Sequence, residues 1–275
     1  MGTDWYEEID TAARLARRAG EVIMQIYGTD FAVAWKGETG PVTEADLQAS
    51  AVIVEGLRRA FPEDRVVSEE GPPVEARPEG RVWYVDPLDG TKEFISKNGE
   101  FSVMIGLAVD GRAQVGVVYH PPTQTLYAGA VQSEAWVERG EEREALTVSD
   151  RGVPQELRLA VSRSHRTRLV DEMRASIGTT QEIEYGSVGL KLGLIATQRA
   201  EVYLEASGLT HAWDLCGPEA VLRGAGGRVT DLSGNPMVYG KGDLRNRKGI
   251  VATNAACHEL VLTSIAPVVR AAGLS

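Results

Sequence analysis

The sequence predicts a mixed α/β chain in which a largely antiparallel sheet precedes alternating helices and strands. Between Arg81 and Val148, short apolar runs follow one another, separated by turn residues, a pattern that favours sequential antiparallel strands. Beyond Pro154, strand-like and helix-like patterns alternate, as in α/β folds. A composition change near residues 150–154 divides the chain into an N-terminal α+β domain, 1–152, and a C-terminal α/β domain, 153–275.

The individual elements follow from hydrophobic periodicity and from helix start and stop signals. Residues 5–27 carry apolar side chains at helical spacing and end at Gly28, and Thr43 is the expected N-cap of a second helix, 44–60. Residues 31–41 are expected to form a loop or short hairpin. Strands are expected at 65–68, 81–85, 101–108, 113–119, 126–131, 135–137, 146–148, 157–161, 182–185, 201–204 and 227–230. Further helices are expected at 168–177, 188–197, 214–225 and 256–272.

Composition limits the classes of function. The 275-residue chain has 39 acidic and 29 basic side chains, a formal net charge of −10, and so lacks the positive footprint of a protein that binds nucleic-acid polymers. If its substrate is anionic, a bound divalent cation is one means of attracting it. Two cysteines give no disulfide framework, and no apolar stretch is long enough to span a bilayer. We therefore expect a cytoplasmic protein without stable membrane insertion.

The strongest chemical signal directly follows the apolar strand at 81–85. It reads Asp86-Pro87-Leu88-Asp89-Gly90-Thr91. Pro87 and Gly90 make a stiff, tight turn, on which two carboxylates and the Leu88 carbonyl can converge. Such hard oxygen donors suit Mg²⁺, and a helix that opens at Thr91 would present amides to a phosphate. The alternative is an ordinary Asp-Gly turn with an N-cap.

Three other segments supply candidate acids, each with a structural alternative. Glu69 lies just past a predicted strand and is either a third carboxylate of the site or part of a solvated face. Asp46 lies three residues after Thr43 and either completes a capping box or faces a metal site. Asp214 precedes an apolar helical run and would cap that helix, while its second carboxylate oxygen remains free for a metal ion.

Together these segments resemble the inositol monophosphatase superfamily of magnesium-dependent, lithium-sensitive phosphomonoesterases. The matching residues are Ser68-Glu69-Glu70, the string from Asp86 to Thr91, and Trp213-Asp214 with Gly226-Gly227. The resemblance implies a layered α/β/α/β sandwich, like that of inositol monophosphatase and fructose-1,6-bisphosphatase, with the active site between the two halves. Members of the superfamily are often dimers, so a homodimer is a further expectation.

Within this superfamily the chain is most similar to the CysQ-type 3′(2′),5′-bisphosphate nucleotidases. The residues that carry this similarity are Lys36, 41–46, 92–95, 98–101, 162–165, Gly186-Ser187 and Lys191. The similarity implies hydrolysis of a small-molecule substrate, 3′-phosphoadenosine 5′-phosphate, to AMP and phosphate.

Two departures from the family pattern lie near the last metal aspartate. The segment 203–210 lacks the family's usual arginine and Gly-Pro-Thr, and Leu215-Cys216-Gly217 stands where Thr-Ala-Ala is common. Because these changes are expected on the substrate side, inositol monophosphate, a sugar phosphate and NADP stay open as substrates. A magnesium-binding module without enzymatic activity is a further alternative.

The resemblance also implies roles for individual residues. Glu69, Asp86 and the Leu88 carbonyl would hold one Mg²⁺, and Asp86, Asp89 and Asp214 a second, with a third shared by Glu69 and solvent. Li⁺ would inhibit.

The same resemblance implies a water-activating group and two phosphate sites. Thr91, paired with Asp46 or Glu69, would orient the attacking water. The amides of Gly90 and Thr91 would bind the reacting phosphate. The candidates for binding the second phosphate are Ser162, Arg163, Ser187 and Lys191, and Lys36 is a further candidate.

Overall fold

The computed structural model describes residues 5–35, 40–72 and 77–274; the candidate Lys36 lies outside these ranges. The helices in the described ranges are α1 (Tyr6–Tyr27), α2 (Glu44–Ala60), α3 (Thr91–Ile95), α4 (Arg168–Ile177), α5 (Val188–Ala196), α6 (Ala212–Gly224) and α7 (His258–Ala271). The strands there are β1 (Val33–Trp35), β2 (Pro41–Thr43), β3 (Arg65–Ser68), β4 (Arg81–Asp89), β5 (Ser102–Val109), β6 (Arg112–His120), β7 (Thr125–Ala130), β8 (Ala135–Arg139), β9 (Glu142–Ala145), β10 (Arg158–Ser162), β11 (Gln181–Tyr185), β12 (Val202–Glu205), β13 (Arg228–Thr230) and β14 (Ile250–Thr253).

The larger sheet contains β3 to β9 in chain order. β3 and β4 are parallel and the later neighbours are antiparallel, which confirms the predicted antiparallel character. The predicted strand at 146–148 is wrong, since the last strand of this sheet is β9. The apolar side chain of Leu146 is instead buried in the core, and the Val148 amide donates to the Ala225 carbonyl at the end of α6. Burial of Leu146 explains the apolar pattern there, and pairing with β8 continues only through the Leu146 amide, which donates to the Ala135 carbonyl at 2.8 Å.

The smaller sheet has the order β11-β10-β12-β14-β13. β10 pairs in parallel with β11 and β12, and β14 pairs antiparallel with β12 and β13. Sequence reasoning missed β14, a buried strand of four residues that follows a long polar stretch. Its run Ile250-Val251-Ala252 was the available signal, because β-branched residues favour strands.

The two sheets are stacked in layers with helices. α1 and α2 cover one face of the larger sheet, α5 and α6 lie between the sheets, and α4 and α7 cover the outer face of the smaller one. The predicted layered α/β sandwich is confirmed. Four layers were expected, and the helices α4 and α7 form a fifth. Because the middle helices contact both sheets, the two halves share a layer, and the boundary at 152 and 153 stays a prediction.

Glycines determine how closely α6 crosses the larger sheet. Gly106 and Gly116 are paired across β5 and β6, and the backbone of Gly217 in α6 lies against both. A Cβ atom at Gly116 would lie 1.9 Å from the Gly217 carbonyl oxygen, and one at Gly106 would lie 2.3 Å from the Gly217 nitrogen. This packing corrects one expectation: the segment Leu215-Cys216-Gly217 is buried and does not line the cavity, so its departure from the family pattern concerns packing, not the substrate.

We expect Gly116→Ala to destabilise the protein by about 1–3 kcal/mol or more, because a methyl group there displaces α6 backbone. Thermal unfolding measures the effect. Gly28→Ala is the matched control, since Gly28 has a negative φ and a Cβ atom there would meet its nearest neighbours only at 3.8 Å. A Gly116→Ala protein as stable as the control would contradict the close packing of α6.

Candidate active site

A cavity of about 410 Å³ lies where the end of β4 meets α3, α5 and α6. It collects predicted site residues from both halves of the chain. Those that line it are Glu69, Asp86, Leu88, Asp89, Gly90, Thr91, Ser162, Ser187, Lys191 and Asp214. Asp46 and Arg163 are outside this lining.

The geometry of β4 explains how Asp86 reaches the cavity. Val82 and Tyr84 face the α6 side of the sheet, and alternation along the strand gives Asp86 the same direction. The strand was expected to end at Val85 but continues to Asp89, with a register shift between Asp86 and Asp89. Such a shift re-aims side chains next to functional sites. The Leu88 amide donates to Asp86 Oδ1 at 3.0 Å and so fixes the first carboxylate.

The segment after β4 turns sharply into α3, as predicted from the glycine. Gly90 has φ 97°, a left-handed conformation that favours glycine, and a Cβ atom there would lie 3.0 Å from the Glu100 carbonyl oxygen. Thr91 is the first residue of α3, which confirms the predicted helix start. The turn therefore presents Gly90 and Thr91 to the cavity beside the carboxylates.

Asp46 completes the capping box that the sequence predicted, and within the described part of the chain it contacts the cavity only through Thr91. One oxygen, Oδ2, accepts from the Thr43 amide at 2.8 Å and completes the capping box of α2. The other, Oδ1, accepts from the Thr91 hydroxyl at 3.1 Å. Asp46 therefore acts on the cavity through Thr91, whose hydroxyl is also 3.3 Å from the Leu88 carbonyl oxygen.

Three aspartates form a crowded acidic cluster. Asp86 is 2% exposed, and Asp89 and Asp214 lie on the cavity wall. Burial raises the pKa of all three carboxyl groups, and for Asp86 and Asp214 the charges of the neighbouring acids, including Glu69, raise it further. A hydrogen bond joins the carboxyl groups of Asp86 and Asp214. The raised pKa favours the protonated form of these carboxyl groups, and ionising all three would leave a net negative charge that Lys191, which acts on Asp89, offsets only in part.

The donor chemistry of this cluster fits a hard divalent cation. Carboxylates and a carbonyl are the ligands that Mg²⁺ takes, and a cation would offset the repulsion among the acids. As the side chains stand, the described part of the chain holds no group of three His, Cys, Asp or Glu residues arranged around an ion. The carboxylates are instead turned towards one another and towards amide donors.

Asp89 also lies at the N-terminus of α5. Its Oδ2 atom accepts from the Ser187 hydroxyl at 2.6 Å and from the amides of Val188 and Gly189. These amide bonds and the helix dipole stabilise the carboxylate. Ser187 has φ 53°, which is rare outside glycine, and its hydroxyl holds this conformation by bonds to Ser102 and Leu190. Strain of this kind is concentrated at functional sites.

Lys191 is buried and not a solvated helix lysine. It is 2% exposed, and its Nζ donates to the Ser187 carbonyl oxygen at 2.7 Å. Burial lowers the pKa of its ammonium group to about 8, against the opposing effect of Asp89 and other nearby acids. Lys191 lines the cavity, so its positive charge is available to an anionic ligand near neutral pH.

The structure corrects the expectation for Arg163. Its guanidinium group donates to both carboxylate oxygens of Glu100, at 2.7 and 2.8 Å, and to Glu184 at 3.0 Å. Glu100 also accepts from the Gly186 amide at 2.8 Å. Arg163 therefore braces the turn before Ser187 from outside the cavity, because Glu100 already occupies the guanidinium.

Asp214 lies in the first turn of α6, which begins two residues earlier than predicted. The N-cap is His211, and Asp214 Oδ2 accepts from the His211 amide at 2.6 Å. The imidazole of His211 is stacked on Trp213, with ring centroids 4.6 Å apart. The capping alternative and the cavity position of Asp214 are therefore compatible.

Sequence reasoning missed several residues of the cavity wall. Lys92 Nζ lies 2.8 Å from His165 Nε2 and links α3 to the loop after β10. Glu205 and Arg245 also line the cavity, the latter from the segment between β13 and β14. The departures at 203–210 hinted at Glu205, but nothing in a polar loop distinguished Arg245.

Comparison with known proteins identifies the family. A model of the inositol monophosphatase family matches residues 4–270. The chain belongs to this family. The chain is 41% identical over 235 residues to the 3′(2′),5′-bisphosphate nucleotidase CysQ of Escherichia coli, a match that covers 84% of this chain and 93% of that relative. The predicted resemblance to the inositol monophosphatase family is thus confirmed.

Solved structures of the same family agree with the fold. The crystal structure of CysQ from Bacteroides thetaiotaomicron has 31% identity and a TM-score of 0.78, covering 90% of this chain and 97% of that one. The inositol monophosphatase from Anabaena has 26% identity and a TM-score of 0.78, covering 96% and 97%. The layered architecture described above is therefore that of the inositol monophosphatase family.

Proposed function

We propose that this protein is a 3′(2′),5′-bisphosphate nucleotidase that hydrolyses 3′-phosphoadenosine 5′-phosphate to AMP and phosphate. The observation that carries the proposal is one cavity that joins three acidic side chains, Asp86, Asp89 and Asp214, to a hydroxyl on Thr91 and a buried cation on Lys191. An acidic end and a cationic end suit a ligand with two phosphate groups. The similarity to the CysQ nucleotidase of Escherichia coli supports the same substrate.

The acidic end would hold Mg²⁺, in two or three ions. The donors would be Glu69, Asp86, the Leu88 carbonyl, Asp89 and Asp214. Repulsion among the four neighbouring carboxylates favours binding of a divalent cation. When bound, Mg²⁺ would polarise the phosphate and lower the pKa of a bound water. Support for the proposal comes from the raised pKa of Asp86 and Asp214, which marks carboxylates without a countercharge.

Thr91 would orient the attacking water. Its hydroxyl proton is directed to Asp46 Oδ1, which leaves the lone pairs of Thr91 Oγ1 to accept a hydrogen bond from water. Asp46 is itself held by the capping box of α2, so it would act as a positioning residue. The amides of Gly90 and Thr91 would donate to the reacting phosphate as its negative charge develops.

The second phosphate would bind at the cationic end. Lys191 would supply the charge there, and the hydroxyl of Ser162 would supply a further hydrogen bond. Ser187 would shape this part of the cavity, because its hydroxyl already donates to Asp89. Arg163 would contribute indirectly, because Glu100 joins its guanidinium to the Gly186 amide.

Comparison of substrates tests the proposal. We would measure phosphate release with Mg²⁺ from 3′-phosphoadenosine 5′-phosphate, inositol 1-phosphate, fructose 1,6-bisphosphate and NADP, and compare kcat/KM. We expect the bisphosphate nucleotide to be preferred by about two orders of magnitude, or about 2.7 kcal/mol of transition-state free energy. A preference for another of these substrates would overturn the nucleotidase assignment. Mg²⁺-dependent thermal stabilisation without any phosphate release would favour a binding module.

We expect Thr91→Val to lower kcat by about 10²-fold with little change in KM, because valine preserves the shape but cannot orient water. Thr91→Ser is the matched control, since it retains the hydroxyl next to Asp46. Steady-state kinetics with the preferred substrate checks both variants. Equal activity of the valine and serine variants would exclude the hydroxyl from catalysis.

Several finer expectations belong to the same proposal. We propose that Li⁺ inhibits, that the protein forms a homodimer, and that it works in the cytoplasm with both thiols reduced. Cys216 and Cys257 are free and buried, which is compatible with a reducing compartment. No helix in the described ranges combines the length and apolar character that crossing a membrane requires.

A further inference from the structure

The cavity wall beside the start of α6 contains a cationic side chain that the proposed chemistry does not use. Arg245 lies in the segment between β13 and β14, lines the cavity and is half-buried. Its charge is close enough to His211 to lower the pKa of that imidazole, after the larger effect of burial. Arg245 therefore lies in the same pocket as Asp214, on the side where α6 begins.

The backbone on both sides of Arg245 is fixed to the start of α6. Arg245 forms an antiparallel bridge with His211, and the Ala212 amide donates to the Leu244 carbonyl at 2.8 Å. The side-chain amide of Asn246 donates to the His211 carbonyl at 2.8 Å. Arg245 thus extends from a segment that is held in place at both neighbours, a suitable support for a specificity residue.

Among the other cations of the cavity wall, Arg166 is paired with acidic side chains, whereas Lys92 and Lys191 form hydrogen bonds to uncharged groups. Arg166 pairs with Asp171 at 2.7 Å and with Glu182 at 2.9 Å, and Lys92 contacts His165. Lys191 donates to the carbonyls before α5. For the Arg245 guanidinium, by contrast, the described residues provide no ion pair and no side-chain hydrogen bond.

The neighbouring segment of the cavity wall contains no cation of its own. Residues 203–210 include no arginine or lysine, and the cavity-facing part contains Glu205 and Leu209. A cation on this side of the pocket must therefore come from another segment. Arg245 is bonded through its neighbours to residues 210–212, so it lies directly beside residues 203–210.

We propose that Arg245 is a specificity-determining residue that binds the second anionic group of the substrate, the 5′-phosphate of the bisphosphate nucleotide. This inference rests on the proposed nucleotidase function and deepens it. The planar guanidinium donates two parallel hydrogen bonds to a phosphate, a geometry that the point charge of Lys191 cannot provide. The 3′-phosphate would occupy the acidic, metal-binding end, and the nucleoside would span the pocket.

The test compares two substrates that differ only in the 5′-phosphate. We would measure kcat/KM for 3′-phosphoadenosine 5′-phosphate and for adenosine 3′-monophosphate with wild type, Arg245→Gln and Arg245→Lys. We expect Arg245→Gln to lower kcat/KM for the bisphosphate roughly tenfold to hundredfold, through KM, as for a lost charge-assisted hydrogen bond. The monophosphate should be unaffected, and Arg245→Lys should lie between. Arg247→Gln is the matched control, because Arg247 is exposed and paired with Asp243.

Binding of the product provides a second readout. Calorimetry with adenosine 5′-monophosphate and Mg²⁺-loaded protein should give a Kd that rises roughly tenfold or more in Arg245→Gln and stays unchanged in Arg247→Gln. Equal losses for both substrates would overturn the proposal and would indicate that Arg245 only offsets the acidic cluster. An unchanged preference for the bisphosphate in Arg245→Gln would overturn the role of Arg245 and leave the nucleotidase function intact. A wild type without that preference would overturn both proposals together.

Discussion

Asp89→Asn is expected to abolish turnover, with kcat lowered roughly 10³-fold or more. The substitution removes one negative charge from the acidic cluster while it keeps the size of the side chain. The amide oxygen of asparagine can still accept from the Val188 amide and the Ser187 hydroxyl, so the fold at the start of α5 should persist. Several kcal/mol of transition-state stabilisation depend on a bound metal, and each 1.36 kcal/mol is a factor of ten in rate.

The measurement is kcat with saturating Mg²⁺, together with thermal unfolding to verify that the variant is folded. Asp150→Asn serves as the control, since Asp150 is exposed and does not line the cavity. Near-normal kcat of Asp89→Asn at saturating Mg²⁺ would contradict the assignment of Asp89 to the metal site.

Asp86→Asn is expected to make the metal-free protein more stable at neutral pH, although it inactivates the enzyme. Burial, reinforced by Glu69, Asp89 and Asp214, raises the pKa of the Asp86 carboxyl well above 3.8. Between 3.8 and that raised pKa, the folded protein binds more protons than the unfolded chain. Stability of the metal-free wild type therefore falls as pH rises through this window, and it is highest below it.

Asparagine at position 86 removes this titration. It can keep the bond from the Leu88 amide through its Oδ1 atom and can donate an N–H to Asp214. In a chain of this size, a change of about 1 kcal/mol in the free energy of unfolding shifts Tm by roughly 2–4 °C. We therefore expect the Tm of metal-free Asp86→Asn at pH 7 to exceed that of wild type by at least this amount.

Thermal unfolding in a chelator from pH 4 to 8 measures the effect of Asp86 on the metal-free protein. The addition of Mg²⁺ then measures how far the same side chain contributes to stabilisation by the metal. Mg²⁺ should raise the Tm of wild type and of Asp150→Asn by similar amounts. It should raise the Tm of Asp86→Asn much less. A metal-free Asp86→Asn protein that is less stable than wild type at pH 7 would show that the Asp86 carboxyl contributes net stability, contrary to the repulsion inferred above.

The local chemistry of the site was predictable from the sequence because it depends on neighbours along the chain. The tight turn from Asp86 to Thr91, the helix start at Thr91 and the capping box of Thr43 with Asp46 all follow from residue types at short spacing. The helix start and the capping box are confirmed, whereas the turn is confined to Gly90 because β4 continues to Asp89. The antiparallel sheet and the alternation of the second half follow likewise from periodicity.

The tertiary structure decided which of these segments meet. The approach of α6 to β5 and β6 through Gly106, Gly116 and Gly217 brings Asp214 to Asp86, and no local pattern contains that contact. Arg163 matched a family motif, yet the carboxylate of Glu100 holds it outside the cavity. Arg245 gave no signal in its polar loop, but the bridge to His211 places it on the cavity wall. The sequence by itself determined the acidic chemistry and the elements that carry it, because these depend on short-range geometry. Only packing between distant elements decided which cations complete the pocket.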